Sequence, residues 1–398
     1  MEGISNEELE SLDCPTYEKQ EQAWALILDA LDNKKINNLL NTVNFELVEK
    51  VEFNESCGVI NKIFILNARN KKQPFESKDL ILRINNPHAF WKHKRNANEV
   101  AIMSYLKANS SIPVPLILSH SNDSSASPLG CEYILMEKIK GRVLSELIDS
   151  ANDEQIEYLI EQMVEFVGEL KAISIKQNKI GCFDEEMNVS FLVHDGPTLE
   201  VCDNYLEYID KQLVFSAKEM KKFKKHQRLG EQLENARLRL NEIAKLNPNL
   251  NSLDFNDQKC AFHGDLNGSN IMLDPASFKI NAILDWDFFS HNFDNGEFDF
   301  LLGWSDNDRV KEIIKTKMEK KIKSWYRPPN GKQIRKYFFD LAQTANQLGF
   351  YVSTWFSKEK AEHCVESAPR KHINKYADDL LEMLGNIEDF FSLLENYK

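Results

Sequence analysis

Apolar positions change their spacing several times along this chain, and each change marks a change of element. Between residues 18 and 42, Trp24, Leu28, Leu31 and Leu39 recur near helical spacing, which predicts an amphipathic helix. Then the runs shorten. Leu47–Phe53, Val59–Leu66 and Leu80–Ile84 are short apolar or alternating stretches separated by Asn, Gly, Lys and Pro, the pattern of three strands in an antiparallel sheet. Asn96–Ala108 returns to helical spacing, with Val100, Met103, Tyr105 and Leu106 on one face. Ile112–Leu118, a Ser-rich stretch over 119–130 and the apolar Cys131–Met136 read as two strands joined by a long hairpin connection.

From Gly141 onward the pattern is mainly helical, over roughly 153–176, 200–245, 306–324, 331–357 and 372–394. One β-like island at 260–288 interrupts it, and no repeat period is present. The order predicts an α+β fold: a small antiparallel-sheet lobe with one helix, then a larger helical lobe with an embedded hairpin. The connector Glu137–Gly141 is the natural boundary, dividing residues 1–138 from 139–398.

Composition narrows the class. With 42% hydrophobic and 28% charged residues, the 398-residue chain is an ordinary globular protein. Lys and Arg number 49 against 62 Asp and Glu, and the net charge of −13 opposes general nucleic-acid binding, which needs a basic footprint. The 7 Cys have no CxxC spacing, so neither a disulfide framework nor a structural zinc site is expected. The N-terminus is acidic and polar, and no apolar run reaches the ~18–20 residues that span a bilayer. A cytoplasmic protein without membrane contact is the expectation. The basic run 218–228 reads as the solvated face of a long helix anchored by Phe223 and Leu229.

The densest chemistry lies in CAFHGDLNGSNIMLDPASFKINAILDWDFF, residues 260–289. Phosphoryl transfer needs one carboxylate to orient an attacking hydroxyl and accept its proton. It needs separate oxygen ligands to hold Mg²⁺ on the nucleotide phosphates. Asp265 fits the first role, and Asn270 with Asp285 fits the second. Asn270–Leu273 and Ile280–Leu284 would pair as a hairpin and bring Asp285 back beside Asn270.

HGDLNGSN followed by ILDWD resembles the Brenner-type motif of the aminoglycoside phosphotransferase and choline kinase-like enzymes. The resemblance covers roughly residues 45–305 in ordered landmarks. It implies a two-lobed protein-kinase-like fold, ATP and Mg²⁺ as cofactors, and a small-molecule hydroxyl as acceptor. Asp265 matches the family's catalytic Asp, Asn270 its metal-binding Asn and Asp285 its counterpart of the kinase DFG Asp. His263 falls at a position that supports the loop. In LILRI, Arg83 takes the place of the phosphate-holding base, more often Lys in the family. Ile81 on the same strand face would lie over the adenine. Glu99 matches the acid that pairs with that base.

NESCGVIN occupies the place of the nucleotide-covering loop, with Ser56, Gly58 and Asn61 as contacts. YILMEKIKG resembles the adenine hinge, with Met136 as gatekeeper and the Glu137 carbonyl and Ile139 N–H facing the base. Asp299 in EFDFL would brace the catalytic loop. A protein kinase fits less well, because HGDLNGSN and LDWD replace HRDxxxxN and DFG. A nucleotide-binding scaffold without turnover, a pseudokinase, is the other reading. It would not need Asp265, Asn270 and Asp285 together. Aminoglycoside-like, choline-like, amino-sugar and macrolide-like acceptors all fit. No motif in 306–398 names one, and none specifies an oligomeric state. Asp287, Asp294 and Glu297 are expected to crowd the acceptor side of the cleft and favour an amine-bearing substrate.

Overall fold

The small lobe is built by strands whose alternate residues are apolar. The computed structural model describes residues 31–49, 52–54, 61–73, 75–85, 95–173, 175, 177–192, 199–222, 226–246, 259–292, 303–321, 337, 340–342, 344–345, 348 and 368–395. Helix α1 (Asn33–Thr42) starts at Asp32, whose carboxylate accepts the Lys35 N–H at 2.7 Å. Strands β1 (Phe45–Leu47), β2 (Glu52–Asn54), β3 (Asn61–Asn70), β4 (Ser77–Asn85), β5 (Ile117–Ser121) and β6 (Tyr133–Glu137) form one antiparallel sheet in the order β1-β3-β4-β6-β5, with β2 also on β3. On β4, Leu80, Leu82 and Ile84 are buried with Phe64 and Leu66 of β3 and with Ile36, Leu39 and Leu40 of α1. The period of two then turns Ile81 and Arg83 to the other face.

The stretch expected as one strand over Leu47–Phe53 is two short strands, and both pair with β3: Leu47 opposite Ala68 and Glu52 opposite Ile65. Alternation alone does not mark where an edge strand breaks. The Ser-rich connection is a hairpin as expected, since β5 pairs with β6.

Helix α2 (Arg95–Asn109) buries Ile102, Met103 and Leu106 in the same core as Trp286 and Phe289 of the larger region. The helix that carries Glu99 is therefore packed on the segment that carries Asp285.

After β6 the chain crosses at residues 138–141 into β7 (Arg142–Val143), which pairs with β12 (Ile271–Leu273). Gly141 has φ +125°, and a Cβ there would sit 2.1 Å from the Leu273 carbonyl oxygen. Only glycine allows that approach. Asn281 Nδ2 donates to the Lys140 carbonyl at 2.9 Å, tying the connector to β13 (Ile280–Ile283).

Helix α3 (Asp153–Ala172) opens with a reciprocal cap between Asn152 and Gln155 and buries Ile156, Leu159, Ile160, Met163, Phe166, Val167 and Leu170. Strands β8 (Gly181–Cys182), β9 (Phe191–Leu192) and β10 (Leu199–Glu200) follow, then helices α4 (Tyr205–Lys221) and α5 (Gln227–Leu246). The helix expected over 200–245 is thus two. Both bury apolar faces against each other, so the period runs on across the turn. Gly230 permits the close packing, since a Cβ there would meet the Ala217 carbonyl at 2.9 Å. The basic run falls across the end of α4 and the start of α5 and so is not the face of one helix, but Lys218, Lys221, Lys222 and Arg228 are exposed and Leu229 is buried, as expected; Phe223 lies outside the described residues. Lys222 pairs with Glu219, and His226 is buried.

Strands β11 (Cys260–Phe262), β14 (Ser290–Asn292) and β8 form a three-stranded sheet that the sequence did not announce, because two- and three-residue strands carry too little period to read. Helices α6 (Asp308–Lys321), α7 (Ala368–Gly385) and α8 (Ile387–Glu395) complete the described elements, and the described positions between 337 and 348 are helical. Among the described residues, Cys131, Cys182, Cys202 and Cys260 are buried and form no disulfide. Among the described residues, no helix is long and apolar enough to cross a membrane.

Candidate active site

Strand β11 delivers the loop HGDLNGSN with its first residue locked. His263 is buried between Leu284 and Trp286: its Nε2 lies 2.9 Å from the Leu284 carbonyl, and its ring centroid is 4.6 Å from that of Trp286. The Asp265 N–H donates to Nδ1 at 3.2 Å, so the proton of the neutral ring sits on Nε2 and is donated to Leu284. Burial lowers the His263 pKa to about 4, against the opposing pull of the Leu284 carbonyl and Asp287. A ring with both nitrogens committed and no charge at neutral pH supports the loop and is not a general base. Gly264 has φ +82°, and a Cβ there would lie 2.5 Å from the Phe288 carbonyl.

Two amides hold the Asp265 side chain. Asn267 Nδ2 donates to Oδ1 at 2.9 Å, and Asn270 Nδ2 donates to Oδ2 at 2.9 Å and to the main-chain oxygen at 2.8 Å. Burial raises the Asp265 carboxyl above the usual range; Asn267 and Asn270 pull it down, and Asp287 pushes it up. The buried Trp304 donates its indole N–H to the Leu266 carbonyl at 3.0 Å, anchoring the next residue of the loop.

The hairpin of β12 and β13 follows, with Ile271 opposite Ile283. The Leu284 N–H donates to the Asn270 carbonyl at 2.8 Å, so the chain entering Asp285 lies against the residue that holds Asp265. Asp285 takes a left-handed conformation (φ 61°, ψ 70°), and the chain then turns through a 3₁₀ segment, Trp286–Phe288.

Across from this turn, Arg83 of β4 is buried with Glu99 of α2. Its Nη1 donates to Glu99 Oε1 at 2.9 Å, its Nη2 to Oε2, and Asn96 Oδ1 lies 3.5 Å from Nη2. Burial works against the Arg83 cation, but Glu99, Asp287 and Asp285 outweigh it and hold the guanidinium above its ordinary range. One carboxylate oxygen from each of Glu99, Asp285 and Asp287 lies within 4.8 Å of the others.

Arg83, Glu99 and Asp285 are thus brought together, as are Asp265 and Asn270, and the Leu284–Asn270 bond joins the two groups. Ile81 pairs with Met136 across β4 and β6, and Glu137 accepts the Leu116 N–H on its side chain at 2.8 Å. Ile139 lies in the connector, and Asn61 opens β3 opposite Asn85. Ser56 and Gly58 lie outside the described residues, as do Asp294, Glu297 and Asp299. The expectation for Asp287 needs correction. Its carboxylate sits with Asp285 and Glu99 around Arg83, because the 3₁₀ turn folds it back toward the small lobe. Asn267 and Asn96 went unread. Asn96 stands three positions before Glu99, a spacing that shares a helix face and could have drawn attention to it.

The sequence pattern of the phosphotransferase enzyme family matches residues 58–293, more than half of the 398-residue chain. Two subtelomeric hrmA-associated cluster proteins, from two strains of Aspergillus fumigatus, are each 37% identical over 108 residues. That stretch is 27% of this chain, and the chain spans only 20% of the length of those relatives. Among solved structures, the streptomycin–ATP–APH(2")-IIa ternary complex is similar at 17% identity and a TM-score of 0.56, covering 90% of this chain and 98% of that one. The ADP-bound aminoglycoside phosphotransferase APH(2'')-Ib follows at 16% identity and a TM-score of 0.53, covering 90% and 99%. At these identities the structures speak for the fold: a small antiparallel sheet and a helical lobe in the kinase-like arrangement. With the family pattern running from the strand that precedes Arg83 through Asp265 and Asp285, the chain belongs to the phosphotransferase enzyme family.

Proposed function

We propose that this phosphotransferase is an ATP-dependent, Mg²⁺-requiring small-molecule kinase that transfers the γ-phosphate to a hydroxyl. The observation that carries the reading is the joining of two groups. A carboxylate held by two amides, Asp265, lies on the same hairpin-braced loop system as a cluster in which the buried Arg83 and Glu99 meet the half-buried Asp285 and Asp287. Three carboxylates against one Arg leave a local excess of negative charge, and their oxygen donors suit a hard divalent cation. Asp285 with Asn270 would hold Mg²⁺, and Asp287 stands within reach as a further ligand. The Asn270 amide nitrogen is committed to Asp265, which leaves its Oδ1 for the metal. When bound, Mg²⁺ would neutralise charge on the β- and γ-phosphates.

The rest falls to the chain's own residues. Residues 1–138 form the nucleotide lobe and 139–398 the lobe that binds the acceptor. Arg83, whose fork is held by Glu99, would attract phosphate as an oriented cation through its remaining N–H groups. Met136, Glu137 and Ile139 line the adenine edge, Ile81 covers it, and Ser56, Gly58 and Asn61 close over the nucleotide. Asp265 orients the acceptor hydroxyl and takes its proton. The hydroxyl oxygen bonds to the γ-phosphorus as the bond to the bridging oxygen breaks, and ADP leaves with that electron pair. The similar APH(2")-IIa structure holds streptomycin and ATP together, which supports ATP as donor and keeps an aminoglycoside-like acceptor among the candidates. With Asp287 on the nucleotide side, the charge argument for an amine-bearing acceptor loses one of its three carboxylates.

The test is a panel of hydroxylated metabolites, aminoglycosides, amino sugars and macrolides scored for ADP release with Mg²⁺–ATP. A kinase releases ADP above the acceptor-free rate with at least one of them, and the phosphorylated product is detected by mass. Saturable Mg²⁺–ATP binding with no acceptor-dependent release across the panel, and no basal hydrolysis, favours the scaffold.

A further inference from the structure

We infer that Asn267 is a positioning residue for Asp265, separate from the metal-side hold that Asn270 provides; the inference rests on the kinase reading above. Asn270 grips Oδ2 and the Asp265 main chain, which leaves the other carboxylate oxygen to a different donor. That donor is Asn267 Nδ2, 2.9 Å from Oδ1. The same side chain is itself anchored, because its Oδ1 accepts the Ser269 N–H at 2.8 Å. The Asn267 main-chain oxygen also accepts the Asn270 N–H at 3.0 Å. One residue therefore fixes the turn and the carboxylate together. A carboxylate held at one oxygen can rotate about its Cβ–Cγ bond; held at both, it presents its remaining lone pairs in one plane. A hydroxyl nucleophile needs that fixed plane for an in-line approach.

The two duties of Asn267 can be separated by substitution. In Asn267→Ser a hydroxyl can still accept the Ser269 N–H, as Ser does in short turns, but it is too short to reach Asp265 and adds no charge. In Asn267→Ala both bonds are lost. The probe is Mg²⁺–ATP with water as acceptor: water oxygen bonds to the γ-phosphorus, ADP leaves, and the proton passes to Asp265.

The inference predicts that Asn267→Ser lowers kcat for ADP release about tenfold or more while the Kd for Mg²⁺–ATP and the thermal midpoint stay at wild-type values. A purely structural role would instead move the midpoint and leave kcat per folded molecule alone. Wild-type kcat in Asn267→Ser and in Asn267→Ala overturns this inference and leaves the kinase reading standing. If the wild-type chain releases no ADP beyond what Asp265→Asn releases, with water and with every acceptor of the panel, the kinase reading falls and this inference falls with it.

Discussion

Asp265 and His263 show how burial assigns roles at this loop. The Asp265 carboxyl is raised by burial, which suits a proton acceptor, and two amide donors keep the rise in check. His263 moves the other way, down to about 4, and its neutral ring becomes a strut. The sign of the pH effect follows. The folded His263 value lies below its ordinary 6.5, so the unfolded chain binds the extra proton between those values. His263 therefore contributes stability that is complete above pH 6.5 and lost as pH falls toward 4, on the order of 3 kcal/mol in all. Urea unfolding measured across that window gives a falling free energy for wild type, and His263→Gln flattens the slope; parallel slopes contradict the buried neutral ring. At the metal side, Asp285→Ala raises the Kd for Mg²⁺–ATP and Asn270→Ala shifts the Mg²⁺ requirement for ADP release upward, each by about tenfold or more. Superimposable Mg²⁺ titrations would remove both residues from the metal. The motif residues were legible because their spacing is chemical. Asp287 was misplaced because its direction depends on a left-handed residue and a 3₁₀ turn that sequence spacing does not encode.

The elements that position these groups are held by backbone approaches more than by long side chains. Gly141 lies against Leu273 where no Cβ fits, and β7, β12 and β13 form one small sheet from the connector to Asp285. Gly141→Ala combines a strained φ with a backbone clash, and we expect it to cost about 2–4 kcal/mol in urea unfolding. A loss below about 0.5 kcal/mol would mean that the connector is not clamped to the hairpin. Trp304→Phe keeps an aromatic ring but removes both the donor to the Leu266 carbonyl and the buried five-membered ring that carries it, with an expected cost of about 2–4 kcal/mol. The hairpin itself was readable from two apolar runs around LDPASFK, as was α2 from its helical spacing. The break between α4 and α5 was not, since two helices that bury facing stripes keep one period across their turn.

Among the described residues, three buried clusters divide the work. One lies under the sheet and α1, one joins α2 to α3 and the β12–β13 hairpin, and one packs α4 and α5 against α7 and α8. Composition and element order predicted the sheet-then-helices plan. They could not reveal that α2, which lies between β4 and β5 in sequence, packs into the core of the larger region and so carries Glu99 to Asp285. The chain carries a net charge of −13, and the three carboxylates at Arg83 concentrate negative charge where a metal–nucleotide complex would bind. Saturating Mg²⁺–ATP should therefore stabilise the fold, by about 2.7 kcal/mol at a hundredfold excess over Kd. Mg²⁺ chelation should remove most of that gain. A thermal midpoint indifferent to Mg²⁺–ATP would contradict nucleotide binding at this cluster.

The most direct measurement compares wild type with Asp265→Asn in two assays on the same preparations: calorimetric binding of Mg²⁺–ATP, and ADP release with and without the best acceptor of the panel. The Asn side chain keeps the shape and one of the two amide bonds that hold position 265, but cannot accept the hydroxyl proton. A kinase that uses Asp265 as its base gives equal Kd values within about twofold and a kcat lowered by roughly a hundredfold or more. An Asp265→Asn variant that retains most of the wild-type turnover at equal nucleotide affinity would contradict it.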